Sequence, residues 1–332
     1  MANHIPQKAS GLILGKFMPP HLGHCHLVDF ARSYATDITV LMDSPPEPPI
    51  AEEMRVKWLK ELFPDVTVAT VPGHPPQDPS EHPDFWDIWR GNILAAMPDG
   101  PELVFASEDY GPKVASLFDA RFVPVDLVRE LVPISATKIR NAPNRYFDYL
   151  PGCVRPHFAR RVCIVGPEST GKSTLAQRLA EHYGTVHVTE YARPLLELKN
   201  NQCDPEDIPL IARGQAASEE AMARQANRVL ICDTDMLTTT LWSNVLFGDC
   251  PQWIQEQARS RHYHLYLVAR PDCPYIDDPQ RYLPHQREVF LQKLLTLLEQ
   301  DNRPYVFIGG DWEERFQQAV SAIDELLTSP WA

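Results

Sequence analysis

The stretch VCIVGPESTGKSTLAQRLA, residues 162–180, decides the fold of half the chain. Four apolar residues run straight into a loop with glycines at 166 and 171, and Lys172 and Ser173 then open an amphipathic pattern. This is G-x-x-x-x-G-K-[ST] in the context that gives it meaning, an apolar strand before it and a helix after it. Such a loop aims backbone N–H groups and the positive end of the helix at anionic oxygens. Lys172 is expected to reach β- and γ-phosphates, and the Ser173 hydroxyl to ligate Mg²⁺. Gly166, Glu168, Ser169, Thr170, Gly171 and Thr174 complete the expected cradle for a nucleoside triphosphate.

Outward from this loop, apolar runs at Val186–Thr189, Val229–Cys232, Leu265–Val268 and Tyr305–Ile308 alternate with helical patterns. Strands separated by helices imply a doubly wound parallel sheet. VLICDTD places Asp233 and Asp235 at the tip of a buried strand. A carboxylate there holds Mg²⁺ or accepts the proton of an attacking hydroxyl. VTEYAR offers Glu190 and Arg193 at the carboxyl edge of the sheet, where open α/β sheets bind ligands. RPDCPYIDDPQR, Arg270–Arg281, has the composition of a lid, with Arg270 or Arg281 placed to neutralise developing charge. The N/T-K-x-D signal of guanine recognition does not occur.

The upstream half repeats the α/β pattern without repeating the sequence. Strands are expected at Leu12–Leu14, Ile38–Met42, Val66–Val71, Leu103–Ala106 and Phe122–Val125, with helices at Glu52–Phe63 and Asp84–Met97 between them. The proline-rich segments Ser44–Pro49 and Pro72–Pro83 are stiff connectors or covers over a ligand. GKFMPPHLGH, Gly15–His24, turns from the first strand into a helix. His21 and His24 fall on the same side near its N-terminus, where the helix dipole and imidazole N–H groups meet an anion. Gly23 leaves room for close approach to the backbone, and no nearby Cys or carboxylate cluster completes a zinc site. PISATKIR, Pro133–Arg140, starts another helix with Ser135 and Thr137 as donors and Lys138 and Arg140 as cations. This pairing suits a triphosphate attacked at its α-phosphorus, with catalysis by positioning and charge stabilisation.

At 332 residues the chain exceeds what one core usually supports, and two domains are expected: 1–150, a connecting segment 151–159, and 160–332. The wider segment LPGCVRPHFARR, Leu150–Arg161, has the look of a linker. A net charge of −13 argues against a broad grip on nucleic acid. The first ten residues lack an apolar leader core, and no run reaches membrane-span length. The seven cysteines form no CxxC pair, as in a reduced, cytoplasmic chain.

The two upstream motifs resemble the HxGH and ISxTxxR signatures of the nucleotidyltransferase superfamily. Together with GPESTGKS, TEYAR and CDTD, they make nearly the whole chain similar to the NadR family, which joins nicotinamide mononucleotide (NMN) adenylyltransferase to ribosylnicotinamide kinase. The resemblance implies Mg²⁺ as cofactor and ATP, ribosylnicotinamide, NMN and NAD as small-molecule partners. In the first domain it implies ATP binding by Gly15, Lys16, Phe17, His21, Gly23, His24, Ser135, Thr137 and Arg140, with the two histidines catalytic. Trp86 or Trp89 would stack on the nicotinamide ring and Arg55, unless it lies on a solvated helix face, would meet the NMN phosphate. In the second domain it implies catalysis by Lys172 and Asp233, riboside contacts from Glu190, Arg193 and Asp235, phosphate contact from Arg281, and metal binding by Ser173 and Asp233. Enterobacterial members carry an N-terminal helix-turn-helix; here the first strand starts about ten residues from Met1, so no DNA binding is expected. Other acceptors, flavin mononucleotide or phosphopantetheine, stay open, as do a non-catalytic pyridine-nucleotide sensor and the oligomeric state.

Overall fold

A computed structural model describes residues 7–283 and 285–330. The chain divides into two compact units, Met1–Val154 and Arg155–Ala332.

The first unit runs β1 (Gln7–Gly15), α1 (Leu22–Tyr34), β2 (Ala35–Met42), α2 (Glu52–Leu62), β3 (Thr67–Thr70), α3 (Phe85–Ala96), β4 (Leu103–Ala106), α4 (Gly111–Ser116), β5 (Arg121–Pro124) and α5 (Ala136–Asn141), then a 3₁₀ turn at Phe147–Tyr149. Its five strands are parallel in the order β3-β2-β1-β4-β5. Alternation along each strand feeds two separate cores. Ile13, Val40, Met42 and Phe105 pack on one face with Val28, Ala31 and Leu59. Leu12, Leu41 and Val104 pack on the other with Trp89, Ile93 and Val114. β1 is longer than its apolar run because β2 pairs along it as far back as Gln7↔Ala35. Backbone pairing, not hydrophobicity, holds that polar end in the strand.

The second unit runs α6 (Arg155–Phe158), β6 (Arg160–Val165), α7 (Lys172–Tyr183), β7 (His187–Val188), α8 (Ala192–Leu198), α9 (Asp207–Ala223), β8 (Val229–Asp233), α10 (Met236–Phe247), α11 (Gln252–Ser260), β9 (Leu265–Ala269), α12 (Arg287–Gln300), β10 (Tyr305–Ile308) and α13 (Trp312–Thr328). Its parallel order is β10-β9-β6-β8-β7. Leu175, Ala176 and Leu179 of α7 and Ala319 and Ile323 of α13 cover one face with Val162, Ile164, Ile231 and Leu267. The chain is therefore α/β throughout, with two five-stranded parallel sheets. The segment read as a linker is shorter than its composition suggests, since α6 occupies part of it and Arg160 and Arg161 already pair with β8. All seven cysteines are free thiols. Cys163 and Cys232 are fully buried in strands, and burial pushes both thiols well above their ordinary pKa.

Arg55 corrects the sequence reading. It lies on no solvated face: its side chain is fully buried. The guanidinium donates to the Lys16 carbonyl at 2.6 Å, to the Asp43 carbonyl at 3.1 Å, and to the Ser44 hydroxyl. Ser44 in turn donates to Glu52. Arg55 thus ties α2 to the turns after β1 and β2, and it is absent from the lining of the cavity described below. Replacing Arg55 with methionine removes these donors from buried oxygens. The expected cost is about 2–4 kcal/mol of stability, measured as a lowered urea midpoint for unfolding of the first unit.

Candidate functional site

Each unit carries a cavity at the carboxyl edge of its sheet, where successive loops diverge. In the first unit a cavity of about 870 Å³ is lined by Gly15, Lys16, Phe17, His21, Gly23, His24, Trp86, Trp89, Ser135, Thr137 and Arg140. Of the residues assigned to this site from sequence, Arg55 and Lys138 lie outside its lining.

His21 is the N-cap of α1, and its Nδ1 accepts from the His24 backbone N–H at 3.3 Å. An Nδ1 that accepts carries no proton, so the neutral ring keeps its hydrogen on Nε2. The His24 ring stacks on it with centroids 3.7 Å apart, and Phe17 packs against His24 at 4.6 Å. Gly23 makes this stack possible, because a Cβ there would meet the His21 ring at 3.0 Å. The space saved by Gly23 is thus occupied by His21, whereas the sequence reading reserved it for ligand. Burial lowers the His21 pKa to about 4, with the Arg129 guanidinium adding to the effect. Burial, His21 and Arg129 push His24 well below the ordinary range. Both rings are therefore neutral donors at pH 7.

The sign of the pH dependence follows. The unfolded chain takes a proton on each histidine near pH 6.5, whereas the native His21 resists until about 4. Stability should therefore fall as pH drops from 6.5 toward 4, and removing His21 should flatten that part of the profile. Urea unfolding of the parent and His21→Asn between pH 4 and 7 measures it.

Opposite the histidines, Ser135 caps α5 by accepting from the Lys138 N–H at 3.3 Å. Arg140 donates to the Met18 carbonyl and to the Thr137 hydroxyl, bringing PISATKIR against the HxGH turn. Trp89 is buried and donates Nε1 to the Pro76 carbonyl at 3.0 Å, so its ring is largely core. Trp86 is half-buried, with Lys113 Nζ 5.7 Å from its ring centroid, and is the better placed of the two to meet a planar ligand. Gln77 and Pro79 bring the second proline-rich segment into the cavity wall. Sequence reading missed Asp43 and Arg129, which arrive from loops, and Lys113 of α4, none of which belongs to a motif.

In the second unit a cavity of about 400 Å³ is lined by all eight residues expected of the phosphate loop (Gly166, Glu168, Ser169, Thr170, Gly171, Lys172, Ser173 and Thr174), together with Glu190, Arg193 and Arg281. Gly166 and Gly171 have φ of 146° and 77°, and a Cβ on Gly171 would strike the Trp312 ring at 2.2 Å. Only glycine tolerates both demands. Lys172 Nζ donates to the Pro167 carbonyl at 2.8 Å, curling over the loop. The segment from Arg270 onward is fastened to the same loop. Ile276 N–H donates to Ser169 Oγ at 2.8 Å, and Tyr282 and Leu283 N–H donate to the two Glu168 oxygens at 2.8 and 3.0 Å. Arg281 also reaches Ser169 Oγ, at 3.3 Å. Arg270 does not join the cavity lining; its guanidinium lies 4.5 Å from the Phe307 ring centroid.

Glu190, half-buried, and Asp233, buried, are carboxylates at the ends of neighbouring strands. Burial and their mutual repulsion raise the Glu190 pKa, while Lys172 and Arg193 act in the opposite sense. Burial also raises that of Asp233, opposed by Lys172 and a hydrogen bond from Ser173. One oxygen of Asp233, Oδ1, is buried without a hydrogen-bond partner. Asp235 does not fill the role expected of it. It caps α10, accepting from Thr238 N–H and Oγ1 at 2.8 Å each and from the Tyr266 hydroxyl at 2.9 Å. Its hydrogen bonds are spent on the fold. Neither Asp233 nor Asp235 lines the cavity, which takes Thr234 from between them; the two differ in that Asp233 keeps an unpartnered oxygen. Sequence reading missed Gln215, Thr238, Thr239, Trp242 and Leu246 of α9 and α10, whose polar residues are buried like core. Three consecutive threonines, Thr238–Thr240, buried in the first half of α10 are the signal that it passes beneath a site.

The fold and the two cavities define an α/β chain with two separate nucleotide-type pockets, one behind an HxGH turn and one around a phosphate-binding loop. A family model described as AAA domain matches residues 161–315. The chain is 28% identical to the trifunctional NAD biosynthesis/regulator proteins NadR of Escherichia coli (strain K12) and Salmonella typhimurium, over 97% of its own length and 84% of theirs. Among solved structures it matches a NadR protein in complex with NAD and AMP-PNP, at TM-score 0.77 and 19% identity, covering 99% of each chain. It also matches a NadR protein in complex with NR, at TM-score 0.77 and 22% identity, covering 98% of each. The chain is a homologue of the NadR family. No helix among the described residues is long and apolar enough to cross a membrane.

Proposed function

We propose that this chain makes NAD by two ATP-dependent steps, phosphorylation of ribosylnicotinamide in the second unit and adenylyl transfer to NMN in the first. The observation that carries this reading is the pairing of two complete phosphate-binding constellations in one chain that aligns with NadR along nearly its whole length.

In the second unit the phosphate loop and Lys172 would hold the β- and γ-phosphates of ATP. The riboside 5′-hydroxyl oxygen attacks the γ-phosphorus, the bond to the ADP oxygen breaks, and the hydroxyl proton passes to a carboxylate, for which Asp233 is the first choice and Glu190 the second. Arg193 and Arg281 would offset charge on the transferred group. Mg²⁺ is the implied cofactor. The Ser173 hydroxyl in the cavity wall and the unpartnered Asp233 oxygen, one residue from the wall at Thr234, fit it as donors, with phosphate oxygens and water completing the shell. When bound, the ion neutralises phosphate charge.

In the first unit an NMN phosphate oxygen attacks the α-phosphorus of ATP and pyrophosphate leaves. His21 and His24, as neutral N–H donors, would stabilise charge on the phosphates without holding a proton that must first be lost. Lys16 and Arg140 would bind the leaving pyrophosphate from either side, and Ser135 and Thr137 would add donors. Trp86, rather than Trp89, would stack on the nicotinamide ring.

The test is a time course of products from purified protein, ribosylnicotinamide and Mg-ATP. NMN that rises and then gives way to NAD supports both steps. NMN alone moves the first unit to another acceptor, and turnover of neither riboside nor NMN, with ATP still bound, favours a nucleotide sensor.

A further inference from the structure

Gln215 lies on α9 at 1% exposure and yet contributes to the wall of the second cavity. Its two amide atoms act in opposite chemical senses. Oε1 accepts from the Tyr191 backbone N–H at 3.0 Å, and Nε2 donates to the Thr234 carbonyl at 3.4 Å. Tyr191 follows Glu190 and Thr234 follows Asp233, so one side chain bridges the two loops that present these carboxylates. Among uncharged side chains of this length, a carboxamide alone supplies an acceptor and an N–H donor together.

Thr234 is also strained. Its φ of 68° lies in the left-handed region, where a β-branched residue is a marked outlier. Two bonds grip this residue from opposite sides, its N–H donating to the Ile164 carbonyl at 3.0 Å and its C=O accepting from Gln215. On the other loop, Gly214 lets α9 approach Tyr191 closely, since a Cβ there would come within 2.1 Å of the ring.

We propose that Gln215 is a positioning residue of the phosphoryl-transfer site: its carboxamide clamps the Tyr191 N–H and the Thr234 carbonyl and thereby sets Glu190 and Asp233 against each other. The proposal rests on the kinase reading of this cavity. Without the clamp, Thr234 is free to leave its strained conformation, and Asp233 turns with it. The charged groups sharing the cavity with Gln215 are Glu168, Lys172, Glu190, Arg193, Asp278 and Arg281, and Asp233, Asp235 and Glu219 are buried in the same unit.

Two variants of the full chain test it. Gln215→Met keeps the length and removes both hydrogen-bonding groups. Its kcat for riboside phosphorylation should fall about 10- to 100-fold, with the KM for ATP changed by less than about twofold and adenylyl transfer unaltered. Gln215→Glu loses the donor when ionised and regains an O–H donor beside a C=O acceptor when protonated. Its kcat relative to the parent should therefore rise as pH is lowered, while the Gln215→Met ratio stays flat. Parent-like kcat in Gln215→Met overturns the clamp. So does a pH-independent ratio in Gln215→Glu, or a joint loss of thermal stability, ATP affinity and adenylyl transfer in both variants. If the parent itself phosphorylates no riboside, the kinase reading fails and the clamp is judged separately from crystal structures. Carboxylates of Glu190 and Asp233 displaced in Gln215→Met support it, and carboxylates left in place overturn it.

Discussion

Lys172→Ala is expected to lower ribosylnicotinamide phosphorylation by about 100- to 1000-fold while leaving the conversion of NMN to NAD at the parent rate. The loss has two sources. The ammonium is the loop's own cation for the triphosphate, and it opposes the burial that raises the pKa of both Glu190 and Asp233. Without it, two neighbouring carboxylates lose a shared cation. The proton-accepting group should then hold its proton to higher pH, and the residual activity should rise at alkaline pH. Separate assays with ribosylnicotinamide and with NMN as the starting substrate measure both effects on one preparation. Equal loss of both reactions in a protein with parent-like thermal stability would defeat the assignment of one reaction to each unit.

His24→Ala should do the reverse, lowering adenylyl transfer by about 100- to 1000-fold and sparing the kinase step. His24 stacks on His21 and packs at a tilt against Phe17, so its removal takes away a donor and also unseats the His21 ring. His24→Phe separates the two effects: it restores the stack without an N–H. If His24→Phe recovers activity, His24 acts by packing alone and its role as a charge-stabilising donor is wrong. His24→Phe should introduce no kinetic pKa near 6.5, because the His21 ring beside it stays stacked, buried and neutral.

How much of this was legible beforehand depended on whether function leaves a local mark. The phosphate loop and the HxGH turn are legible because their chemistry needs consecutive backbone: glycines for positive φ, a lysine or histidine at fixed distance, a helix opening directly after. Most residues of GPESTGKS, GKFMPPHLGH and PISATKIR accordingly line their cavities. The misreadings came from side chains whose role depends on what lies across the fold. Arg55 sits in a helix with charged neighbours and reads as solvated, but two turns distant in sequence place carbonyls around it. Asp233 and Asp235 are alike on paper. The alternation of a strand end and the start of α10 leave the first with an unpartnered oxygen and commit the second to capping.

By itself the sequence determined the fold class and the two phosphate-binding turns, since hydrophobic periodicity and glycine-dependent loops are properties of neighbouring residues. Tertiary structure alone decided which polar side chains are free to act. It neutralised the histidines by burying them beside Arg129. It also turned Trp89 into core while leaving Trp86 half-open, and brought Gln215 from a distant helix between two carboxylate loops. The physical reason is that desolvation and hydrogen-bond satisfaction depend on what surrounds a group in space, and residues far apart in the chain supply those surroundings.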